Sequence, residues 1–206
     1  MEILLRSEKG TPLTHPEMDA NMSELDLRSH PGWRDNIISL EVQVGDNSAP
    51  NLVTWLGGIK RYAFPTNKMT EASGVWHIDH DYAPGTALYP HIHWTVATTN
   101  TGTVRWGFEY TIAKGHQQQA FSAPTTIYVE QASLGVANMH YVAEVTQAQA
   151  IPGALIEPDT LIVVRIFRDP THPNDTLEAP VIGLCLDMHY QTDRMATLNK
   201  APNFYA

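Results

Sequence analysis

The chain has 206 residues and a mass of 22.9 kDa, enough for one domain of ordinary to large size or for one domain with an arm. Hydrophobic residues make up 43% and charged residues 17%, which indicates a packed globular protein and excludes a disordered one. A net charge of −9 with only 13 lysines and arginines argues against nucleic acid and against an anionic membrane surface as partners.

The cysteine content and the length of the apolar runs further restrict the kinds of protein that this sequence can be. Cys185 is the single cysteine, which rules out an intrachain disulfide, and its apolar surroundings in the sequence predict an inert buried thiol. The first residues are too short and acidic for a signal peptide, and no apolar run reaches about 18 residues. We therefore expect a soluble protein made in a cytoplasm.

The first element in chain order is a helix start in residues 10–22, with the sequence GTPLTHPEMDANM. Thr14 and Glu17 have the spacing of a capping box, in which the hydroxyl accepts the N–H of Glu17 and the carboxylate accepts the N–H of Thr14. Pro16 falls in the first turn, where its missing N–H costs nothing. The pattern predicts a short pre-organised helix ahead of the rest of the chain.

This segment resembles the G-x-P-L-T-x-x-E-x-D-A-N-[FM] segment near the N-termini of many tailed-phage tail fibre proteins and other virion proteins. The resemblance covers residues 10–22, with Met22 where Phe is usual. It implies an attachment segment that contacts other virion proteins. The residues assigned to this attachment are Pro12, Leu13, Thr14, Glu17, Asp19, Asn21 and Met22.

After residue 33 the pattern changes to strand-like runs rich in Val, Ile, Thr, Trp and Tyr, separated by Gly, Pro, Asn and Asp. Strands are predicted at 39–44, 53–55, 62–64, 74–78, 87–97, 104–113, 125–130, 140–145, 161–168 and 181–191. Residues 142–150, rich in Ala and Gln, are an alternative helical segment. About eight to ten strands with almost no helix indicate a mainly β, antiparallel β-sandwich or jelly roll and exclude a parallel α/β fold.

The clearest predicted hairpin joins residues 91–97 to residues 103–110 through the turn sequence at 100–102. Alternation places aromatic residues of both strands on one face, where cross-strand pairs would build a wall of the core. The residues expected in the core include Trp94, Trp106, Phe108 and Tyr190. The opposite faces are predicted to form a hydrogen-bonded polar network from His91, His93, Arg105, Glu109, Asp187 and His189.

A second set of motifs spans roughly residues 75–195. It consists of P-H-I-H-W at 90–94, N-T-G at 100–102, E-Y at 109–110, R-I-x-R-D at 165–169 and D-x-H-Y at 187–190. The set resembles a family of uncharacterised phage proteins that share these signatures in the same order. The resemblance implies a virion-associated β-sandwich and does not imply a reaction.

The histidines suggest a metal-binding site, because four of the ten lie close together in the sequence, at His77, His80, His91 and His93. Gly85 and the His-x-His pair match the opening of the cupin motif. The carboxylate that cupins place about four residues later is absent, and Glu109 or His189 could replace it only across the sheet. Alternatively, a His-x-His pair from each of three chains could surround a metal on a threefold axis. We favour the polar network, with His91 and His93 as the weaker metal candidates and no cofactor.

The C-terminal residues 195–206 contain Phe204 and Tyr205 without strand alternation, and an irregular segment with exposed aromatics is expected to be covered by a partner. The predicted organisation is therefore an attachment arm with a short helix at 1–33, a jelly-roll-like β-sandwich at 34–194 and an extended tail at 195–206. Residues 30–32, His-Pro-Gly, are the predicted hinge between arm and sandwich.

The sequence thus predicts a bacteriophage virion structural protein without catalytic residues. The favoured position is the tail, as a fibre, fibre-anchoring or adaptor subunit that assembles as a symmetric oligomer, expected to be a homotrimer, and contacts other virion proteins. A capsid decoration (cement) protein is the alternative. A cupin-like metal-dependent enzyme or a carbohydrate-binding module follows as a less favoured function of a different class.

Overall fold

The computed structural model describes residues 3–29, 32–43, 45, 47–193 and 196–205. Two helices come first, α1 at Arg6–Lys9 and α2 at His15–Ser29. The strands that follow are β1 Gly32–Asp35, β2 Asn51–Leu56, β3 Ile59–Phe64, β4 Thr70–His77, β5 Tyr89–Val96, β6 Thr101–Lys114, β7 Thr125–Leu134, β8 Tyr141–Glu144, β9 Thr160–Arg168 and β10 Val181–Thr192. Short 3₁₀ turns lie at Gln147–Gln149 and Gly153–Leu155.

The strands form two antiparallel sheets. The first sheet has the order β2-β3-β10-β5-β8, with β1 also paired to β10, and the second has the order β4-β9-β6-β7. Their apolar faces pack together into one core. The predicted fold class, a mainly β antiparallel sandwich of the jelly-roll kind preceded by a helical arm, is confirmed.

The predicted hairpin between β5 and β6 is wrong. Strand β5 pairs with β10 and β8 in the first sheet, whereas β6 pairs with β7 and β9 in the second. The connection between them therefore crosses from one sheet to the other. The aromatic faces still meet, because the rings of Trp94 and Trp106 approach edge to face across the core with centroids 6.4 Å apart. The alternation of apolar and polar residues identifies which face of a strand points inward, but it does not identify the strand with which it pairs.

The residues expected in the core are buried, which confirms that part of the prediction; these are Trp94, Trp106, Phe108 and Tyr190. Residues 39–43 do not form the strand predicted at 39–44, and residue 44 lies outside the described residues. Ile38 bridges to Leu186 of the first sheet, and Glu41 bridges to Ser73 of the second, so this segment passes from one sheet to the other. The alternative helix at 142–150 is also absent, since β8 and a 3₁₀ turn occupy that stretch.

The boundary between arm and sandwich differs slightly from the predicted one. Strand β1 begins at Gly32 and pairs with the end of β10, so the sheet begins inside the segment assigned to the arm. Residues 30 and 31 of the predicted hinge lie outside the described residues. None of the described helices has the length and apolar character needed to cross a membrane.

Candidate functional site

A group of imidazoles and carboxylates lies on the outer face of the first sheet, and we call it the histidine–carboxylate cluster. Antiparallel pairing brings its members together, because His91 of β5 is opposite Asp187 of β10 on one side and Glu144 of β8 on the other. Neighbouring residues Ile92 and Leu186 point into the core, which directs these side chains outward. The members are Asp35, His91, His93, His140, Glu144, Asp187 and His189.

The inner part of the cluster is centred on Asp187, which is buried. Its Oδ2 lies 3.5 Å from Nε2 of His91 and 3.5 Å from Nε2 of His93. Its Oδ1 accepts a 2.7 Å hydrogen bond from the N–H of Met188. His93 Nδ1 shares a 2.7 Å hydrogen bond with Nε2 of His140.

The outer part of the cluster is centred on His189. Its Nε2 lies 2.9 Å from Oδ1 of Asp35, and its Nδ1 contacts the Glu144 carboxylate. The ring of His189 lies over that of His91, with centroids 4.1 Å apart. Burial lowers the pKa values of His91 and His93 below the ordinary histidine value. Burial thus favours the neutral form of both imidazoles, which can act as ligands or hydrogen-bonding groups.

Two sets of ligand atoms in the cluster are close enough to hold a metal ion, with all atoms of a set within 4.8 Å of one another. One set comes from His91, His93 and Asp187, and the other from Asp35, His91 and His189. Imidazole nitrogen and carboxylate oxygen are ligands of zinc and of other divalent transition metals.

The polar network predicted from the sequence is divided by the fold. Four of its six members meet in the cluster, but Arg105 and Glu109 lie on the second sheet. There Arg105 pairs with Glu130 and lies over the ring of Tyr128, and Glu109 accepts a 2.9 Å hydrogen bond from Arg165. The division follows from the misassigned hairpin, because β6 does not adjoin β5.

Three members of the cluster were missed by the sequence analysis. Glu144 and His140 carry a detectable signal, because they alternate with Tyr141 and Ala143, which point into the core. The predicted strand at 140–145 contains both residues on its outward face. Asp35 had no such signal, since no strand was predicted at residues 32–35.

A cleft of about 360 Å³ lies beside the outer part of the cluster. It is lined by Trp33, Tyr89, Glu144, Gln147 and His189. The rings of Trp33 and Tyr89 meet edge to face with centroids 5.5 Å apart, and the Trp33 side chain remains 58% exposed. The cleft thus combines an exposed aromatic surface with carboxylate, amide and imidazole groups.

A second cluster lies elsewhere on the molecule around Asp159, whose carboxylate contacts three histidines. His116 lies at 2.7 Å, His77 at 3.1 Å and His80 at 3.3 Å. Burial alone would raise the pKa of Asp159, but the hydrogen bond with His116 and the nearby imidazoles lower it below the ordinary value. His77 and His80, which the sequence groups with His91 and His93, lie instead with His116 around Asp159.

The tail closes over this second cluster. Phe204 packs edge to face against His80 and His116 and is only 5% exposed, and Tyr205 donates its hydroxyl to the Tyr82 carbonyl at 3.3 Å. The expectation that a partner covers Phe204 needs correction, because this chain itself buries the ring. The boundary residues 194, 195 and 206 lie outside the described part of the chain.

The arm has the predicted capping geometry. The N–H of Thr14 donates to the Glu17 carboxylate at 2.7 Å, and the N–H of Glu17 donates back to the Thr14 hydroxyl at 3.4 Å. Hydrogen bonds from Lys9 and Thr14 lower the pKa of Glu17 to about 2. Asn21 binds the backbone of Leu4 through both atoms of its amide, at 2.9 and 2.8 Å.

The other residues assigned to attachment are largely accessible. Pro12, Asp19 and Met22 are exposed, Met22 at 68%, and Leu13 is half-buried. Among the described side chains of the two helices, every hydrogen bond closes within the arm. The arm is therefore internally braced and keeps much of its surface available.

No protein-family model and no curated protein matches the sequence. Among solved structures, a chain of the infectious bursal disease virus Gx strain is similar over 80% of this chain, with 8% identity and a TM-score of 0.39; the match spans 32% of that chain. TmCBM61 in complex with β-1,4-galactotriose matches over 77% of this chain and 86% of its own, with 10% identity and a TM-score of 0.34.

A third similar structure is CBM27-1 of Caldicellulosiruptor saccharolyticus in complex with mannohexaose. The match covers 75% of this chain and 96% of the CBM27-1 chain, with 8% identity and a TM-score of 0.29. At these TM-scores, none of the three similarities bears on what this chain does.

Proposed function

We propose that this chain is a structural protein of a tailed-bacteriophage virion. The observation that carries the proposal is the N-terminal arm, in which residues 10–22 resemble the attachment segments of tail fibre proteins and the capping box formed by Thr14 and Glu17 is in place. A braced helix loses little conformational entropy when it docks, since its backbone is already ordered. Exposed Met18 and Met22 offer adaptable apolar contacts for a partner.

The favoured position is the tail, as a fibre, fibre-anchoring or adaptor subunit, and a capsid decoration protein is the alternative. In either position the arm contacts other virion proteins, and the role is structural rather than enzymatic. The proposed virion subunit is a symmetric oligomer, with a homotrimer as the favoured state.

The experiment for the proposed function is deletion of residues 1–30 in the phage that encodes the protein, followed by mass spectrometry of purified particles. We expect the truncated chain to keep its cooperative β-type unfolding transition and to be lost from the particles. The double change Thr14→Ala and Glu17→Ala is a finer variant that removes the capping box and should lower incorporation partially. Normal incorporation of the truncated chain would contradict the proposal, and the position of the intact chain in a virion reconstruction separates tail from capsid.

A carbohydrate-binding function is a second candidate, and the cleft at Trp33 favours it. An exposed indole beside carboxylate, amide and imidazole groups suits a sugar ring, whose apolar face stacks on aromatics while its hydroxyls form hydrogen bonds. In a tail fibre this activity would serve recognition of a cell-surface glycan. Glycan-array binding that is lost in Trp33→Ala and retained in Trp55→Ala would support it, and no binding by the intact chain would reject it.

A further inference from the structure

The inner part of the histidine–carboxylate cluster contains a contact that neutral side chains alone do not explain. The Nδ1 atom of His91 lies 3.2 Å from the Tyr89 carbonyl, which can only accept a hydrogen bond, so Nδ1 carries the proton. In the neutral imidazole Nε2 is then unprotonated. This Nε2 faces the Asp187 carboxylate at 3.5 Å, so two electron-rich atoms lie opposite each other in a buried site.

A second imidazole faces the same carboxylate oxygen. His93 Nε2 is buried, forms no hydrogen bond and lies 3.5 Å from Oδ2 of Asp187. The other nitrogen of this ring, Nδ1, is engaged by His140 at 2.7 Å, and the tautomer in which Nδ1–H donates leaves the Nε2 lone pair free. Both imidazoles thus present Nε2 to one point beside Asp187.

These separations suit a bound ion better than direct hydrogen bonds. A protonated imidazole paired with a carboxylate lies at about 2.7–2.9 Å, which is shorter than the 3.5 Å found at both His91 and His93. Ligands about 2.1 Å from a tetrahedral zinc ion lie roughly 3.4 Å apart. The separations between Asp187 and the two histidines match that value.

The supporting contacts are those that metal sites require. Metal-bound histidines usually donate their second N–H to a carbonyl or another acceptor, as His91 does to Tyr89 and as His93 can do to His140. Asp187 is held in the same way, since its Oδ1 accepts the N–H of Met188 and leaves Oδ2 for the ion. A buried carboxylate also needs a compensating positive charge, which a cation supplies.

We propose that His91 Nε2, His93 Nε2 and Asp187 Oδ2 form a binding site for a divalent transition metal, with zinc as the ion that fits best. Three protein ligands leave the fourth tetrahedral position for a water molecule. The half-buried His93 lies on the side of the site that reaches solvent. The alternative set formed by Asp35, His91 and His189 shares only His91 with this site, which makes the two separable by mutation.

The test is calorimetric titration of the full-length chain with Zn²⁺ after removal of metal by a chelator. We expect one ion per chain, with binding weakened more than about 100-fold in His93→Ala and about 10–100-fold in His140→Ala, since direct ligands matter more than the groups that orient them. His189→Ala and His116→Ala should bind as the unmodified chain does. Excess Mg²⁺ should not compete, because it prefers oxygen ligands.

Cobalt substitution provides a second measurement that does not depend on affinity. Co²⁺ in the intact chain should give the intense visible absorption of a four-coordinate site, and His93→Gln, which keeps most of the side-chain volume, should lose it. Far-ultraviolet circular dichroism confirms that each variant is folded. Absence of stoichiometric Zn²⁺ binding in the low micromolar range would overturn the proposal, as would unchanged binding in folded His93→Ala or loss of binding in His189→Ala alone. The proposal is independent of the virion function, so either can fail without the other.

Discussion

Arg168 faces the interior of the sandwich although it is charged. It follows Ile162, Val164 and Ile166 on the inward side of β9 and has no exposed surface. Its five N–H donors meet five acceptors, two of them the oxygens of Asp175 and three of them backbone carbonyls; these are contributed by Phe64, Leu177 and Ala179. The side chain therefore fixes the connection between β9 and β10 against the end of the core.

Replacing Arg168 by Met should lower the free energy of unfolding by about 3–5 kcal/mol, because it leaves the buried Asp175 carboxylate without its charged partner. Denaturant titration measures this loss. Arg165→Met is the matched control on the same strand, since Arg165 is part of a partly exposed ion-pair group with Glu71 and Glu109, and it should cost about 1 kcal/mol or less. Equal losses in the two variants would mean that Asp175 finds another partner.

Individual residues show which structural features can be predicted from the sequence and which cannot. Alternation along β9 predicts that Arg168 points inward, but its partner Asp175 lies in an irregular connection, which no periodicity describes. Gly107 is a similar case in β6. The ring of Phe167 lies where its side chain would be, so that an added Cβ would come within 2.2 Å of the ring. The pairing of β6 with β9 had to be known before this glycine could be explained.

At the scale of strands, the positions of most strands were predictable from the sequence, whereas several of the strand pairings were not. Nine of the ten predicted strands overlap observed ones, since the inward faces are strongly apolar and turn residues separate them. Pairing depends on which connections cross between the sheets, and the short connection after β5 looks like a hairpin turn in sequence. This error also explains why Arg105 and Glu109 of β6 were predicted to join the polar network, whereas the members of the histidine–carboxylate cluster come from β1, β5, β8 and β10 and from the residue before β8.

The contact of Trp94 with Trp106 links the two sheets through the centre of the core. Trp106→Ala should lower the free energy of unfolding by about 3–5 kcal/mol, as deletions of large buried aromatics do. Trp33→Ala, on the exposed side of the first sheet, should cost much less and serves as the control. A loss below about 1 kcal/mol for Trp106→Ala in a denaturant titration would contradict the assigned packing of the two sheets.

At the scale of the whole molecule, the first sheet ends in strand β2, whose outer edge has no partner among the described strands. Large apolar side chains are exposed on β2 and at the start of β3, including Leu52 at 58%, Leu56 and Ile59. Leu52 also lines a groove of about 280 Å³ with Ile37 and Tyr62. An open strand edge with exposed leucine and isoleucine is a surface that proteins usually cover, which supports the proposed oligomer.

The oligomer can be tested by light scattering on the purified chain. A homotrimer gives a mass of about 69 kDa, three times 22.9 kDa. Leu52→Asp places a charge on the exposed edge and should shift the mass toward that of a single chain, because burying an unpaired carboxylate in an interface is costly. Leu198→Asp is the control, since this leucine is 79% exposed in the tail and far in sequence from β2, and it should leave the mass unchanged. A single-chain mass for the unmodified protein would exclude the trimer, whereas a trimer unaffected by Leu52→Asp would place the interface away from β2.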